Sequence, residues 1–385
     1  MSTVLHEKPR LVADPVEAYY TICPVLVASN IAVELGWLDE EFKRAGGKAT
    51  FLRSLPENGG WLPHYRHSFN PLFRDGGAIP TLWAKADLTD TTLIATTASQ
   101  RAGQVVVRAG SGIRRVQDLA GRRIGLFKSQ NDEKIDFARA TAQHGLLLVL
   151  ELAGLSAEQV QWVDLADDDD PSFLQPSQRP VELWTQIKAH RGQPPVDIQA
   201  LADDRVDAIL VQASTAASLV ATGKYTVIED LERYTDWTLK ISNGPYTTAV
   251  NTDFARQHPE LVVAFLRAAI RAGRWINANP DAAAELFTRV TFNSDPALVR
   301  AALHGRDFVP QLSAQNLAAL ELKKTFLREH GYIKGDFRVT DWADSSFLEQ
   351  AHASLQDQSA TRGSGLVRSH SDFHQFEALI GAINL

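Results

Sequence analysis

Cysteine is nearly absent from this chain, whose 385 residues hold one, Cys23. A single thiol makes no internal disulfide and no paired-cysteine zinc or iron–sulfur site, which suits a reducing compartment. Long apolar runs are missing too; the stretches at 146–150 and 261–266 are far too short to span a bilayer. Residues 1–10 show no apolar run behind basic residues, so no secretory leader is read there and a cytoplasmic location is expected. Basic excess is lacking as well. The formal net charge is −7, and the densest basic stretch, 114–123, is interrupted by Asp118 and reads as the flank of a turn and strand rather than a phosphate-binding stripe. These absences predict a soluble protein with neither a nucleic-acid nor a membrane partner, and a monomer is expected.

Familiar catalytic signatures are also missing. There is no Gly-x-Ser-x-Gly elbow, no Gly-Lys-Ser/Thr phosphate loop and no His-Glu-x-x-His zinc helix. The aspartates at 167–170, followed by Pro171, lack the glycine turn of a calcium loop, and contiguous side chains diverge, so the segment reads as a loop. No metal and no cofactor are expected.

With 44% hydrophobic and 22% charged residues, the composition is that of a folded protein, and the length exceeds what one hydrophobic core organises. Strand and helix patterns alternate, which predicts an α/β fold with largely parallel sheets. Strands are read at 104–108, 122–127, 161–165 and 206–211, and helices at 136–152, stopping before Gly154, and through 199–204. A further helix begins at His258 with Pro259 in its first turn, buries Leu261, Phe265, Ala269 and Ile276, and ends before Pro280. More helices are expected to about residue 356, then a glycine-containing joint at 361–365 and a short terminal helix at 373–385.

Three local features carry chemistry-bearing residues: Tyr20-Thr21-Ile22-Cys23-Pro24-Val25, then His64 and His67 beside Trp61, then Arg74-Asp75-Gly76-Gly77. Each has a plain reading alone. A lone cysteine beside proline and valine packs as a small hydrophobe, histidines in such a segment sit in loops or at the surface, and Arg-Asp-Gly-Gly forms a turn. Aromatic residues near the set, Trp61, Phe73 and Trp83, suit either a ring-stacking wall or core.

Taken together the set resembles the desulfinase family of bacterial dibenzothiophene desulfurisation, which converts 2'-hydroxybiphenyl-2-sulfinate to 2-hydroxybiphenyl and sulfite. That family carries its cysteine in a Tyr-x-x-Cys-Pro-Val stretch, and a histidine ten residues before the arginine of an Arg-x-Gly-Gly motif followed by Ile-Pro; here these are Cys23, His64, Arg74, Gly76, Gly77, Ile79 and Pro80. The similarity also takes in 118–125, the stretch around Arg271 to Trp275, and 309–342. Thr21 and Ile22 replace the family's Ser and Asn, and the segment 167–180 and the tail past 357 have no counterpart.

The resemblance implies a two-lobed type II periplasmic-binding-protein-like fold with a central ligand cleft, the fold of sulfonate, nitrate and taurine receptors. Lobe one is expected to hold 1–110 and 235–360, lobe two 111–234, with 361–385 as an extension. It further implies hydrolytic C–S cleavage of a small aromatic sulfinate, with Cys23, His64 and Arg74 catalytic, and Arg74, Gly76, Gly77 and Thr21 binding substrate. Arg74 and the glycine amides suit an anionic sulfinate, and positive charge at Arg74 and His64 suits a cysteine nucleophile. Two other readings come with the fold, which alone does not choose among them. One is a non-catalytic solute-binding protein of an ATP-driven importer, taking a sulfonate, nitrate or aromatic carboxylate. The other is a cytoplasmic enzyme of the same superfamily working on other substrates, such as an aromatic decarboxylase or a thiamine-pyrimidine synthase, whose cysteine-rich segment is missing here.

Overall fold

The structure, a computed structural model, describes residues 14–56, 61–97, 102–167, 171–190 and 194–363. The expected terminal helix at 373–385 and most of the aspartate run lie outside the described residues. Among the described residues ten strands form two five-stranded sheets. In chain order they are β1 (Val16–Ile22), β2 (Gly47–Phe51), β3 (Leu72–Gly76), β4 (Thr91–Thr97), β5 (Gln104–Arg108), β6 (Arg123–Ser129), β7 (Gln161–Asp167), β8 (Ala208–Val211), β9 (Tyr225–Asp230) and β10 (Tyr246–Asn251). The first sheet runs β2-β1-β3-β10-β4 and the second β7-β6-β8-β5-β9. Each pairs its first three strands in parallel and carries antiparallel pairing on its other side.

One expectation about the lobes needs correcting. The strand at 104–108 falls within the span expected for lobe one, but β5 pairs with β8 and β9 in the second sheet, so the chain changes sheet between Thr97 and Gln104. It returns through Trp237–Asn243 to β10. A second departure is the segment after β7. Leu174, Leu183 and Trp184 pack into the core of the first lobe, Arg179 reaches Glu34 at 3.3 Å, and Lys188 donates to the Thr288 carbonyl at 2.7 Å. Apolar side chains on the helix Pro180–His190 give this segment more to bury against lobe one than against the lobe that precedes and follows it in sequence.

The first lobe's core lies between its sheet and the helices Ala28–Glu34, Trp37–Arg44 and Pro259–Ala278. The last of these opens with proline, whose missing N–H costs nothing in a first turn, and it buries Leu261, Phe265, Ala269 and Ile276 as its periodicity predicts. Phe265 stacks on Phe73 of β3 with ring centroids 4.8 Å apart. Such an aromatic pair contributes about 1 kcal/mol beyond its buried area. Alternation along β1 sends Ala18, Tyr20 and Ile22 into this core and leaves Thr21 on the opposite face. β3 does the same with Phe73 and Arg74. The face carrying Thr21 and Arg74 is covered by the short helices Trp61–Arg66 and Ala78–Trp83, and the site assembles there.

Candidate active site

Parallel strands present their carboxyl ends on one edge of a sheet, and ligands of open α/β folds bind off that edge. β1 and β3 are parallel neighbours with Thr21 opposite Arg74 in register, so their ends deliver Cys23 and the Arg74–Gly77 segment to the same place. Cys23 continues the pairing by donating its N–H to the Asp75 carbonyl at 2.9 Å. Past Cys23 the chain turns through Pro24 and Val25 toward the helix Ala28–Glu34. From the buried face of that helix the Asn30 amide donates to the Cys23 carbonyl at 3.0 Å and the Val25 carbonyl at 2.9 Å. The cysteine is fixed by backbone contacts on both sides.

His64 sits in the last turn of Trp61–Arg66 with its Nε2 3.6 Å from the Cys23 Sγ and its Nδ1 2.7 Å from the Thr21 hydroxyl. The ring is buried, and desolvation, reinforced by the Arg74, Arg53 and His67 charges, holds its pKa well below the usual histidine value. His64 is therefore a neutral imidazole at ordinary pH. The expectation that it adds positive charge beside the thiol is corrected on this point; Arg74 supplies the cation. In a neutral ring one nitrogen donates and the other accepts. When Nδ1–H donates to Thr21, the Nε2 lone pair faces the cysteine and can take its proton.

The Arg74 side chain is wholly buried and almost fully committed. Its Nε donates to the His64 carbonyl at 2.8 Å, and its Nη1 to the Gly77 carbonyl at 2.9 Å and the Thr81 hydroxyl at 2.6 Å. Thr81 is itself bonded to Thr247 of β10 at 2.9 Å. Those contacts leave Nη2 pointing at Cys23, 3.8 Å from Sγ. One guanidinium nitrogen and one thiol thus face the same small volume from the ends of neighbouring strands.

Gly76 makes that approach possible. Its φ of +147° lies where side chains are rarely tolerated, and a Cβ there would stand 2.3 Å from the Cys23 Sγ. Gly77 lines the cavity with open space on its Cα.

Other expectations divide. Thr21, expected on the substrate, is 1% exposed and spends its hydroxyl on His64. His67, read as a loop or surface residue, is buried and bonded through Nε2 to the Leu72 carbonyl at 2.9 Å. Of the three aromatic residues near the motifs only Trp61 lines the cavity; Phe73 is in the core, and Trp83 packs against the cluster built around Leu82 and Trp342. Arg74 to Gly76 belong to β3 rather than to a turn.

The sequence assigned no role to three further polar residues, Asp75 inside the Arg74–Gly77 feature and Arg53 and Tyr246 outside every motif. Asp75 is buried, accepts from the Ser29 hydroxyl at 2.5 Å, and is pushed up to about 6 chiefly by burial. Arg53 and Tyr246 line the same cavity as Cys23. The cavity has a volume of about 1930 Å³ and is walled by the first lobe around Cys23, His64 and Arg74 and by second-lobe residues including Phe127, Phe137 and Gln212. It exceeds the roughly 300–1,000 Å³ of a typical small-molecule pocket, as an open cleft between lobes does. Among the described residues no group of three or more His, Cys, Asp or Glu could hold a metal ion, and no helix is long and apolar enough to cross a membrane.

Comparison with known proteins bears on the geometry. The family described as NMT1/THI5 like matches residues 79–177 and 185–283, together just over half of the chain. A 2'-hydroxybiphenyl-2-sulfinate desulfinase from Rhodococcus erythropolis is 28% identical over 365 residues, covering 86% of this chain and 92% of that protein. Among solved structures, a cysteine-to-serine mutant of DszB in complex with biphenyl-2-sulfinic acid superposes with a TM-score of 0.68 at 24% identity, covering 88% of this chain and 99% of that one. A putative sulfonate ABC transporter protein, the periplasmic sulfonate-binding protein SsuA from Methylobacillus flagellatus, superposes with a TM-score of 0.64 at 17% identity, covering 89% and 96%. The fold is therefore the two-lobed periplasmic-binding-protein-like α/β fold.

Proposed function

Because the chain belongs to the NMT1/THI5-like family, we propose that it uses that family's two-lobed cleft as an enzyme, an aromatic sulfinate desulfinase. The observation that carries this reading is the convergence of Cys23 Sγ with His64 Nε2 at 3.6 Å and Arg74 Nη2 at 3.8 Å on one wall of the cleft. The similarity to the Rhodococcus desulfinase supports it.

The overall reaction takes an aryl sulfinate and water to an arene and bisulfite. In one order of events His64 accepts the thiol proton and the Cys23 sulfur attacks the sulfinate sulfur. The S–S bond forms as the C–S bond breaks, the ring carbon takes a proton, and water then hydrolyses the thiosulfonate-like adduct to bisulfite and free thiol. In the other, Cys23 delivers its proton to the ring carbon bearing sulfur, sulfur dioxide leaves and is hydrated to bisulfite, and the thiolate regains a proton. Arg74 Nη2 neutralises the sulfinate in both, and a charge-assisted bond from a buried, pre-positioned guanidinium is among the stronger single contacts a site offers. His64, neutral, moves the proton at Cys23 in both, while Thr21 orients its ring. Gly77 gives the sulfinate oxygens close access to backbone. The reading needs no cofactor, and it puts the reaction in the cytoplasm, whose reducing conditions preserve a lone cysteine.

Sulfite release is the test. Purified protein incubated with 2'-hydroxybiphenyl-2-sulfinate and simpler aryl sulfinates is expected to release sulfite and arene in equal amounts, and Cys23→Ser to release neither. Tight binding of a sulfonate or aromatic carboxylate with no sulfite from any sulfinate would replace this reading with that of a solute-binding protein, whose fold the cleft shares.

A further inference from the structure

Arg53 lies in the short turn Leu52–Ser54 that follows β2, at the same sheet edge as Cys23. It is 5% exposed and lines the cleft beside Cys23, His64 and Trp61. Its guanidinium carbon stands 4.9 Å over the Trp61 ring, a cation–π arrangement that fixes the plane of the group. The Ser177 N–H, from the segment that reaches across from the second lobe, donates to the Arg53 carbonyl at 2.8 Å and helps roof the residue over.

Among the described residues no carboxylate lies within ion-pair distance of Arg53, and its Nε is buried without an acceptor. Burial lowers the group only to about 10, so it remains a cation at neutral pH. The contrast with Arg74 is direct, since three of that residue's donor contacts are satisfied by protein oxygens. The neighbourhood repeats the pattern: Trp61 Nε1, Trp184 Nε1 and the Tyr246 hydroxyl are also buried without partners, and all three residues line the cleft. A wall with several unanswered donors and an unpaired cation is costly to bury unless a ligand brings acceptors and negative charge. Water could satisfy the N–H groups but not the charge.

We propose that Arg53, framed by Trp61, Trp184 and Tyr246, is a second anion subsite of the cleft that takes a carboxylate or sulfonate substituent of an aromatic ligand whose first anionic group faces Arg74 and Cys23. The natural ligand is then a doubly anionic arene, and assigning its first group as a sulfinate rests on the desulfinase reading. A neutral hydroxyl would leave the Arg53 charge uncompensated. Arg53 is a specificity residue here, distinct from the groups that move protons or hold the reacting sulfur.

Stable sulfonates test this without turnover. Calorimetric titration of the wild-type protein with benzenesulfonate, 3-sulfobenzoate and benzene-1,3-disulfonate is expected to give at least about tenfold tighter binding for one of the two doubly charged ligands, the gain of one buried charge-assisted contact. In Arg53→Met that ligand loses the advantage while benzenesulfonate changes by less than about threefold, and Arg53→Lys, which keeps the charge without the planar fork, falls between. Equal weakening of the singly and doubly charged ligands in a variant whose thermal midpoint matches wild type would overturn the proposal, and so would no weakening of either. Sulfite assays separate the two readings. Arg53-dependent binding without sulfite release from any sulfinate keeps the subsite and removes the desulfinase, whereas sulfite release with no preference for doubly charged ligands removes the subsite alone.

Discussion

Gly76 shows how tightly the residues around Cys23 constrain one another. A methyl group there would meet the thiol at 2.3 Å on a backbone already at φ +147°. Gly76→Ala is therefore expected to lower kcat for sulfite release at least tenfold and to destabilise the fold by about 1–3 kcal/mol, the usual cost of a strained non-glycine conformation; steady-state kinetics and urea unfolding measure the two effects. Thr21 acts at one remove. Thr21→Val keeps the shape of a buried side chain but removes the oxygen 2.7 Å from His64 Nδ1, so kcat should fall about tenfold with KM nearly unchanged, as for loss of an oriented base. An equal rise in KM would instead place Thr21 on the substrate. Cys23, His64 and Arg74 were legible because a motif with fixed spacing carries them. The place of Thr21 was not, because strand register, which the motif does not encode, turns it toward His64 rather than the cleft. Arg53 stands outside every motif and is visible only through its burial and the absence of a carboxylate partner among the described residues.

Among the elements, the second sheet was the more legible. β5, β6, β7 and β8 are short apolar runs or nearly so, and the helix Phe137–Leu152 announces both ends, with the Asp136 carboxylate accepting from the Arg139 N–H at 3.0 Å and Gly154 just past its end. The strands that carry the site were not read. β1 and β3 place Glu17, Thr21, Arg74 and Asp75 among their apolar residues, and polar residues required by a site break the pattern that marks a strand. The fold of the first lobe was reached through resemblance rather than periodicity. The segment at 171–190 misled for a related reason: its sequence position lies between second-lobe strands, while its apolar face is buried by the first lobe. At this scale Asn30 ties the β1 end to the next helix. Asn30→Ala removes the side-chain donor from the Cys23 and Val25 carbonyls, each of which keeps one backbone N–H partner, and should cost about 1–3 kcal/mol in urea unfolding, with faster alkylation of Cys23 as the turn loosens.

For the whole molecule, buried titrating groups set an acid response whose sign can be worked out. His64 is held well below its ordinary 6.5, His67 down to about 3 and His144 down to about 2, each mainly by burial. Each binds its proton more readily unfolded, so the stability it contributes is full above 6.5 and is lost as pH falls below it. Asp75 and Asp197, raised from 3.8 to about 6, act oppositely: the folded state holds their protons better, and stability from them grows as pH falls from about 6 toward 3.8. Three histidines outweigh two aspartates, so the thermal midpoint should fall between pH 6.5 and 4. Asp75→Asn removes one opposing group and should make that fall steeper; a shallower fall would show that the Asp75 carboxyl is not raised.

The central claim is that Cys23 and His64 act as one unit on a sulfinate held by Arg74. Its most direct test is the initial rate of sulfite release from 2'-hydroxybiphenyl-2-sulfinate by wild type, Cys23→Ser, His64→Gln and the double variant, measured side by side. The account predicts that Cys23→Ser abolishes release, that His64→Gln lowers it at least about a hundredfold, and that the double variant is no worse than Cys23→Ser alone, since residues acting together lose their effect together. Sulfite release by Cys23→Ser at a rate near wild type would contradict it.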